Sequence, residues 1–410
     1  MSKQRSVVIV GASLAGAKAA EGLRNAGFDG RIVLLGAEPE RPYERPPLSK
    51  GFLLGKEPRE KAYVHPESFY ADHGIELRTS TTVTAIHRDR HEVECADGER
   101  IGYDTLLLAT GASPIRLSLP GADLPGIHYL RTMADSAALR ETLQRGGQVV
   151  VVGGGWIGLE VAAAARHHGC DVTILEPLPA PLYRVLGKEL GDFYAQVHRD
   201  HGVELRLGVG ASEFRGTERV EAVVANDGTV LPADAVVVGV GARPNTQLAE
   251  AAGLPVEGGV LVDEFLRTAD PDIFAAGDVA NAHNPFYGRR VRVEHWANAQ
   301  DQGSAVAHSI LGKGEPFAKI PYFYSDQYDV GMEYSGLLDP EGKYDLVYRG
   351  DVASREFCVF WVRDGVVVAG MNVNVWDVHS DIRALIKSGK PVDTAKLADP
   401  QVPLSSLAGG

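Results

Sequence analysis

The chain has 410 residues, of which 44% are hydrophobic and 23% charged, and a formal net charge of −13. Its length predicts two or three domains at roughly 150 residues each, and its acidity argues against a nucleic acid or an anionic membrane surface as the main partner. Three scattered cysteines without a C-x-x-C pair exclude a disulfide framework and the commonest dithiol redox centre. The polar N-terminus and the lack of an apolar run of about 20 residues predict a cytoplasmic protein without a signal peptide or membrane span. No metal site is predicted.

The N-terminal residues have the pattern of a dinucleotide-binding βαβ unit. An apolar run at 6–10 predicts a buried strand, a glycine-containing loop occupies 11–16, and a helix is predicted from Leu14 to about Asn25 before a second strand at Arg31–Leu35. In such a unit the loop backbone and the helix N-terminus hold a pyrophosphate. Ser13 replaces the usual middle glycine, and an ordinary βα turn without a ligand explains this loop, taken alone, equally well.

A proline-rich segment, residues 41–50, follows the second strand and ends at Lys50. Proline fixes φ and removes a backbone donor, so this segment is predicted to take a fixed extended path without regular structure. Such a path gives Lys50 a defined position. The alternative is a solvated surface residue, which is what most lysines are.

Residues 75–108 are predicted to contain a small antiparallel sheet inserted into the first nucleotide-binding unit. Three segments alternate between apolar and polar residues, and a hairpin turn signal, Asp97-Gly98, follows them: Ile75–Arg78, Val83–His87 and Glu92–Ala96. A buried strand is predicted at Thr105–Ala109, directly before Thr110 and Gly111.

A second glycine loop lies in the middle of the chain and has the full G-x-G-x-x-G pattern at Gly153, Gly155 and Gly158. It follows the β-branched run Val149–Val152, predicted as a strand buried on both faces, and precedes a helical pattern. Glu176 ends the next predicted strand, about 20 residues after the loop, where a carboxylate can accept hydrogen bonds from a ribose hydroxyl.

The two halves of the chain repeat the same order of features. In the second half a helix is predicted at Gly187–His201, and the apolar strand Ala235–Val240 runs into Gly241 as the strand at 105–109 runs into Gly111. Self-similarity of this kind indicates internal duplication of a nucleotide-binding unit.

The rest of the chain is predicted to complete the first unit and to add a third. A helix predicted to begin at Gly277-Asp278 would place Asp278 at its N-terminus, where a plain N-cap role is the alternative. Another helix is predicted at Ala299–Leu311. Residues 319–410 are rich in aromatics and have the pattern of an antiparallel sheet and one helix, Asp377–Ser388, before a loose tail from Pro400.

Taken in order, these motifs resemble the FAD-dependent pyridine-nucleotide reductases. More narrowly, they resemble the NADH-dependent ferredoxin reductases of oxygenase systems, of the putidaredoxin reductase and biphenyl dioxygenase ferredoxin reductase type. The resemblance covers nearly the whole chain and rests on the N-terminal glycine loop and five further segments: Arg45–Lys50 (Arg-Pro-Pro-Leu-Ser-Lys), Ala109–Gly111, Gly153–Glu160, Gly277-Asp278 and Tyr324–Tyr328 (Tyr-Ser-Asp-Gln-Tyr).

The resemblance implies an α/β fold with two Rossmann-like dinucleotide-binding domains, one for FAD and one for NAD, and a C-terminal α+β domain. The FAD domain is expected to be discontinuous, at residues 1–111 and 242–318. The NAD domain is expected at 112–241 and the C-terminal domain at 319–410.

The resemblance also implies which residues bind each cofactor. NADH is expected on Gly153, Gly155, Ile157, Gly158, Glu176 and Gly241. FAD is expected on a larger set: Gly11, Ser13, Leu14, Ala15, Gly16, Glu38, Arg45, Lys50, Val83, Ala109, Thr110, Gly111, Arg131, Gly277, Asp278 and Trp296. Glu38 is a substitute, because Ala37 occupies the usual acidic position at the adenosine ribose. Tyr322 and Tyr324 stand where relatives often carry tryptophans.

The implied reaction is hydride transfer from NADH to FAD, after which single electrons pass to a [2Fe–2S] ferredoxin that serves a cytochrome P450 or a ring-hydroxylating dioxygenase. Lys50 and Glu160 are the expected catalytic residues, predicted to form an ion pair across a domain boundary. Because a carboxylate repels a 2′-phosphate, Glu176 predicts a preference for NADH over NADPH, although Arg184 lies close to it in the sequence.

Three alternatives stay open on the sequence. A rubredoxin reductase or NADH oxidase would share every loop and differ only in the electron acceptor. A flavoprotein similar to apoptosis-inducing factor would sense NADH and retain its electrons, and a structural nucleotide-binding protein would have lost the flavin. The acidity of the chain disfavours an acidic ferredoxin as partner. A basic patch at Arg289, Arg290 and Arg292 would relieve this, although three arginines are more often a solvated face.

Overall fold

The computed structural model describes residues 5–339 and 342–408. The chain forms two compact units, each assembled from segments that are distant in the sequence. The first unit contains Met1–Glu44, Arg59–Ser113 and Arg243–Pro321; the second contains Arg45–Pro58, Pro114–Ala242 and Tyr322–Gly410. The proline-rich segment is divided between the units: residues 41–44 belong to the first, and residues 45–50, which include Lys50, belong to the second.

Strands and helices alternate along most of the chain before a final run of strands. In chain order the strands are β1 (Ser6–Val10), β2 (Arg31–Leu35), β3 (Ile75–Arg78), β4 (Val83–His87), β5 (Glu92–Cys95), β6 (Arg100–Gly102), β7 (Thr105–Leu108), β8 (Ala112–Pro114), β9 (Ile127–His128), β10 (Gln148–Val152), β11 (Asp171–Glu176), β12 (Glu204–Leu207), β13 (Ala211–Arg215), β14 (Ala222–Ala225), β15 (Val230–Pro232), β16 (Ala235–Val238), β17 (Ala242–Pro244), β18 (Val260–Val262), β19 (Ile273–Ala275), β20 (Ala280–Asn284), β21 (Arg289–Val291), β22 (Tyr322–Gln327), β23 (Val330–Gly336), β24 (Asp345–Asp351), β25 (Glu356–Arg363) and β26 (Val366–Val373). The α-helices are α1 (Leu14–Asn25), α2 (Phe69–Asp72), α3 (Met133–Leu143), α4 (Trp156–His167), α5 (Tyr183–Asp200), α6 (Gln247–Ala251), α7 (Trp296–Ile310), α8 (His379–Ser388) and α9 (Thr394–Ala398).

The first unit is built on a five-stranded parallel sheet in the order β3-β2-β1-β7-β19. Its central strand forms because Ser6–Val10 is a short β-branched run, which suits a sheet covered on both faces. Helices α1 and α7 pack closely against each other. A Cβ at Gly22 would lie 2.8 Å from the Cβ of Ala307, and one at Gly303 would lie 2.5 Å from the carbonyl of Ala15.

The second unit repeats this topology with a parallel sheet in the order β12-β11-β10-β16-β9. In each half a three-stranded antiparallel sheet follows the third strand of the repeat: β4-β5-β6 in the first unit and β13-β14-β15 in the second. The halves differ in their fifth strand, because β19 comes after the repeat whereas β9 precedes it. The predicted α/β class is confirmed.

The second unit also contains the C-terminal antiparallel sheet, in the order β22-β23-β26-β25-β24. Side chains from this sheet, from β10 and from helices α4 and α5 form one continuous hydrophobic cluster. The described helices include none with the length and apolar character needed to cross a bilayer.

One strand prediction and one helix prediction are wrong. Ile75–Arg78 is not part of the inserted antiparallel sheet but the parallel edge strand beside β2, and Arg100–Gly102 supplies the third strand of that inserted sheet. No helix follows Asp278 directly, because Ala280–Asn284 forms β20 between β18 and β21, so Asp278 lies in a turn between two strands. In both cases the local pattern is weak and the strand partner is supplied by tertiary structure.

The C-terminal tail is not loose over its described residues. The guanidinium of Arg349 donates to the carbonyls of Leu397, Asp399, Pro400 and Val402 at 2.6–3.4 Å. Leu404 is buried. One arginine side chain, whose partners its position in the sequence does not reveal, thus anchors the tail to β24.

Candidate functional site

The two glycine loops have the same backbone geometry at their first glycine. Gly11 has φ of +119° and Gly153 has φ of +105°, a region that side-chain-bearing residues rarely occupy. A Cβ at Gly11 would lie 2.0 Å from the carbonyl oxygen of Ala109, and one at Gly153 would lie 2.4 Å from that of Gly239. Both positions therefore require glycine for the fold itself.

The middle position of each loop behaves differently. In the second loop, a Cβ at Gly155 would have its nearest protein neighbour 3.9 Å away, so packing within the protein does not require glycine there. In the first loop, Ser13 occupies the corresponding place. The last glycines, Gly16 and Gly158, are again excluded from carrying a side chain, since a Cβ on either would lie 2.0 Å from the carbonyl of the first glycine of its loop.

Helices α1 and α4 begin directly at these loops, with extended N-cap residues Ser13 and Gly155. Within the described chain, neither N-cap residue makes a side-chain hydrogen bond to its helix, and neither first turn contains an acidic residue. By contrast, α3 has a complete capping box between Thr132 and Asp135. The first backbone N–H groups of α1 and α4 thus remain available as donors at the positive end of each helix dipole.

Leu14 and Ala15, predicted as cofactor ligands, have buried side chains. They can therefore contribute to a phosphate site only through their backbone N–H groups.

Glu176 lies at the end of β11 and is 8% exposed. One carboxylate oxygen accepts the backbone N–H of Gly154 at 2.7 Å and the other accepts that of Leu178 at 2.8 Å. Each oxygen retains a second lone pair, so the carboxylate can brace the loop and accept a further hydroxyl. In the first unit, Glu38 accepts a hydrogen bond from the hydroxyl of Tyr43.

Exposed apolar side chains border the second loop. Ile157, in the first turn of α4, is 44% exposed, and Val240 and Ile115 are each 36% exposed. Gly241 has φ of +112° and lies next to Ile115, whose Cδ1 would be 3.5 Å from a Cβ at that glycine. Arg184 is exposed in the first turn of α5, and the N-cap of that helix, Leu182, donates its N–H to the carbonyl of Gly154 at 3.0 Å.

Lys50 and Glu160 form an ion pair, with Nζ 2.8 Å from Oε1 and side-chain exposures of 16% and 2%. Two hydroxyls complete the environment of the carboxylate: Ser49 donates to Oε2 at 2.5 Å, and Ser325 donates to Oε1 at 2.6 Å. A 3₁₀ turn at Pro46–Ser49 positions Ser49 and Lys50. The pair lies inside the second unit, whereas the sequence predicted that it would link two domains.

The hydrogen bonding continues away from Glu160 through a buried polar chain. Gln327 Nε2 donates to Ser325 Oγ at 3.2 Å, His198 Nε2 lies 2.9 Å from Gln327 Oε1, and the Tyr328 hydroxyl lies 3.4 Å from His198 Nδ1. Ser325, Gln327 and His198 are each at most 2% exposed. Burial lowers the pKa of His198 to about 4, against the opposing effect of the hydrogen bond to Gln327. We call Ser325, Gln327, His198 and Tyr328 the Glu160 chain.

Tyr322, Tyr324 and Asp326 alternate with Ser325 and Gln327 along β22 and therefore lie on the opposite face of this strand. Lys50 Nζ lies 5.3 Å from the ring centroid of Tyr324, and the hydroxyl of Tyr322 donates to Glu333 at 2.7 Å. Burial raises the pKa of Asp326, opposed by the charge of Lys50. This face thus brings the ring of Tyr324 and the carboxyl group of Asp326 near the lysine ammonium.

Several residues predicted for FAD surround the first loop or lie near it in the first unit. Thr110 and Asn245 exchange two hydrogen bonds of 2.8 Å. The N–H of Gly277 donates to Gln302 at 2.8 Å, and a Cβ at Gly277 would lie 3.1 Å from that of Ala15.

Trp296, another predicted FAD residue, begins α7, three residues before the predicted start of that helix. Burial raises the pKa of Glu44, and a hydrogen bond from the indole of Trp296 partly offsets this effect.

Three further residues predicted for FAD, one in the first unit and two in the second, have contacts away from the first loop. Val83 begins β4 and pairs with Cys95. Arg45 and Arg131 belong to the second unit, together with Lys50. The guanidinium of Arg45 donates to the carbonyl of Arg131.

In the predicted basic patch of Arg289, Arg290 and Arg292, two of the three arginines make hydrogen bonds within the first unit. Arg290 donates to the carbonyls of Val262 and Asn281 at 2.7 and 3.0 Å. Arg292 donates to Glu294 and, at 3.4 Å, to the carbonyl of Asp278. These two guanidinium groups therefore support the protein's own structure.

Sequence reasoning assigned no role to Ser325, Gln327 or His198, which the structure places in the Glu160 chain. The first two lie within the motif at 324–328, to which no role was assigned. His198 carries a weak signal, because it follows Tyr194 by four residues and so falls on the buried face of α5. A polar residue on such a face indicates a buried hydrogen-bond partner.

Comparison with known proteins agrees with this arrangement. Residues 5–303 match the family model described as pyridine nucleotide-disulphide oxidoreductase, and residues 322–408 match the one described as reductase C-terminal. Rhodocoxin reductase of Rhodococcus erythropolis is 40% identical over 96% of this chain and 92% of its own length. The ferredoxin–NAD(+) reductase component of the anthranilate 1,2-dioxygenase system of Burkholderia cepacia is 42% identical over 98% of both.

Among solved structures, the covalent putidaredoxin reductase–putidaredoxin complex superposes with a TM-score of 0.93 at 39% identity, covering 98% of this chain and 97% of the other. The predicted family resemblance is confirmed. The chain belongs to the pyridine nucleotide-disulphide oxidoreductase family and carries that family's reductase C-terminal domain.

Proposed function

We propose that this protein is an NADH-dependent ferredoxin reductase that uses FAD and serves an oxygenase system. One observation carries the proposal: the chain holds two dinucleotide loops of matching geometry, at Gly11 and Gly153. Relatives that align over almost the whole chain are named as reductases of this kind.

The first unit fits FAD. The N-terminus of α1 is not capped by its N-cap side chain, so the first backbone N–H groups of the helix can donate to a phosphate. When bound, FAD supplies the conversion of a two-electron hydride into single electrons. Gly277 beside Ala15 and the adjoining Thr110 are proposed to complete the binding site, with Glu38 as the acidic residue for the adenosine ribose.

The second unit fits NADH. The space beside Gly155, where a Cβ would lie, has its nearest protein neighbour 3.9 Å away. Such a space is what the close approach of a pyrophosphate to the backbone requires. Glu176 is held at the end of β11 by two backbone N–H groups and is proposed to accept a ribose hydroxyl. The exposed side chains of Ile157 and Val240 offer apolar surface for the nicotinamide ring.

Lys50 and Glu160 are proposed as the charged pair of the hydride-transfer centre. Hydride transfer needs alignment of the reacting rings and a fixed electrostatic environment rather than a general acid or base. The buried carboxylate of Glu160 provides this fixed environment, because it holds the Lys50 ammonium at 2.8 Å while two serine hydroxyls hold the carboxylate.

The proposed electron acceptor is a [2Fe–2S] ferredoxin that feeds a cytochrome P450 or a ring-hydroxylating dioxygenase. We infer a cytoplasmic location, which three buried free cysteines fit, since thiols stay reduced there.

The test is anaerobic reduction of the purified, FAD-loaded protein by NADH, followed by addition of oxidised [2Fe–2S] ferredoxins encoded near it. We expect bleaching of the flavin absorbance by NADH and then reduction of a ferredoxin, with rubredoxin and molecular oxygen as slower control acceptors. A protein that binds no FAD would contradict the proposal. A protein that NADH reduces but that holds its electrons would instead be a sensor.

A further inference from the structure

We propose that Ser325, Gln327 and His198 are positioning residues that hold the carboxylate of Glu160 in the orientation in which it pairs with Lys50. This inference rests on the proposed function, because it assigns these residues to the reaction through Lys50. His198 lies on α5, and its two partners, Gln327 and Tyr328, are 129 and 130 positions further along the chain.

The hydrogen-bond chemistry of the Glu160 chain permits one direction. Gln327 donates through Nε2 to Ser325, so its Oε1, which only accepts, faces His198. His198 must then donate through Nε2–H and accept at Nδ1 from the hydroxyl of Tyr328. Ser325 gives its single hydroxyl proton to Glu160. Every donor in the chain therefore points toward the carboxylate.

The opposite orientation of Gln327 leaves Glu160 short of a donor. With the amide turned round, Oε1 would need the hydroxyl proton of Ser325, and the buried carboxylate would lose that hydrogen bond. Loss of a bond to a buried charged group is strongly unfavourable. The amide of Gln327 is thus locked by its two neighbours, and the neutral imidazole of His198 supplies the one donor and one acceptor that the chain needs.

The consequence falls on the ammonium of Lys50. Ser325 and Lys50 share the same oxygen of Glu160, at 2.6 and 2.8 Å. Loss of the Ser325 hydrogen bond leaves Ser49 and Lys50 to hold the carboxylate, so its orientation toward the lysine is less fixed. Aligned hydrogen bonds also polarise one another toward the anion at their end. Removing one residue of the Glu160 chain should therefore hold the Lys50 ammonium less firmly in its position. Neither glycine loop is altered by such a change.

The experiment compares Ser325→Ala and Gln327→Met with wild type in the FAD-loaded protein. Both substitutions are close to isosteric, and each removes one link. The matched control is Tyr194→Phe. Tyr194 lies on α5, and its hydroxyl is buried near Glu160 without a hydrogen-bond partner among the described residues. The readouts are the midpoint potential of the bound flavin, the rate and KM of reduction by NADH in stopped flow, and imidazole ¹⁵N NMR of His198.

We expect the equilibrium constant for reduction of the flavin to fall about tenfold in both variants, which is about 30 mV for a two-electron couple. The rate of reduction should fall with it while KM for NADH stays unchanged, and Tyr194→Phe should match wild type throughout. NMR should show the Nε2–H tautomer of His198 in wild type and its loss in Gln327→Met.

Wild-type potential and rate in either link variant would overturn the proposal, as would an Nδ1–H tautomer in the wild-type protein. The NMR arm does not depend on turnover. If wild-type protein is not reduced by NADH, the proposed function fails, whereas the tautomer still reports whether the chain has the inferred direction.

Discussion

Lys50 and Glu160 are 110 positions apart in the chain, yet the lysine ammonium lies 2.8 Å from a carboxylate oxygen that is almost fully buried. Neither residue is placed by its own local sequence alone. Prolines set the path of the segment that carries Lys50 and Ser49, and helix α4 carries the glutamate. The carboxylate is held by Ser49 from the lysine's own segment and by Ser325 from β22. The pair joins the proline-rich segment to the helix that follows the second glycine loop.

Replacement of Lys50 by Met should destabilise the second unit. It leaves a buried carboxylate without its cation, for which we expect a loss of about 3–5 kcal/mol in the free energy of unfolding. Urea denaturation followed by tryptophan fluorescence measures the loss. The double variant Lys50→Met/Glu160→Gln should recover much of it, because no unpaired charge remains; equal losses in the single and double variants would contradict this account.

Alanine substitutions in the second glycine loop should separate folding from nucleotide binding. Gly153→Ala forces a Cβ to 2.4 Å from a carbonyl oxygen at φ of +105°, so we expect a lower melting temperature. Gly155→Ala meets no protein atom within 3.9 Å and has an ordinary φ of −78°, so it should fold normally. NADH affinity, measured by titration, should nevertheless fall at least about tenfold in Gly155→Ala, since the methyl group occupies the approach to the backbone. Unchanged NADH affinity in this variant would place the pyrophosphate elsewhere.

Glu176→Ala should reduce the preference for NADH over NADPH. The carboxylate is expected to accept a ribose hydroxyl, and hydrogen bonds to a charged group contribute about 1.5–3 kcal/mol, so kcat/KM for NADH should fall about tenfold or more. Repulsion of the NADPH 2′-phosphate should fall at the same time. Initial rates with both cofactors measure the change, and Arg184→Ala in the same background should reverse any gain with NADPH. Equal rates of wild type with NADH and NADPH would refute the role of Glu176.

Acidification should destabilise the fold through His198. Burial lowers its pKa from 6.5 to about 4, so between those pH values the unfolded chain takes up a proton that the folded chain refuses. Stability contributed by the neutral imidazole is therefore complete above about pH 6.5 and declines as the pH falls toward 4, by about 2 kcal/mol between pH 7 and pH 5.

The measurement for His198 is urea unfolding at pH 7 and pH 5, compared with His198→Gln. Burial also lowers the pKa of His65, His128 and His167, and their contributions cancel in the comparison. The variant should lose less stability on acidification than wild type. Parallel pH profiles would contradict this account, because they would mean that the folded protein protonates His198 as readily as the unfolded chain does.

Arg349→Ala should release the C-terminal tail without affecting reduction by NADH. The guanidinium donates to four tail carbonyls, and its removal leaves residues 397–402 without those bonds. Limited proteolysis with mass spectrometry should find new cleavage sites in this segment, and Arg349→Lys should give intermediate protection because an ammonium cannot fork across the same carbonyls. A cleavage pattern identical to wild type would show that other contacts anchor the tail.

The sequence alone determined the two βαβ units, because their signals are local. The required φ at Gly11 and Gly153 and the apolar runs before them constrain a few neighbouring residues, and the strands Ser6–Val10 and Arg31–Leu35 lie where they were predicted. The order of these signals along the chain was also enough to identify the family.

Tertiary structure alone decided which distant segments meet. Strand patterns do not specify a partner, so the pattern at Ile75–Arg78 predicts the wrong sheet, and the helix predicted to begin at Gly277-Asp278 is instead a turn followed by β20. The environment of Glu160 was equally hidden, since Ser325 and His198 come from a strand and a helix that the sequence does not connect. A buried carboxylate must find its donors wherever the packed chain presents them, and this physical requirement is satisfied only in three dimensions.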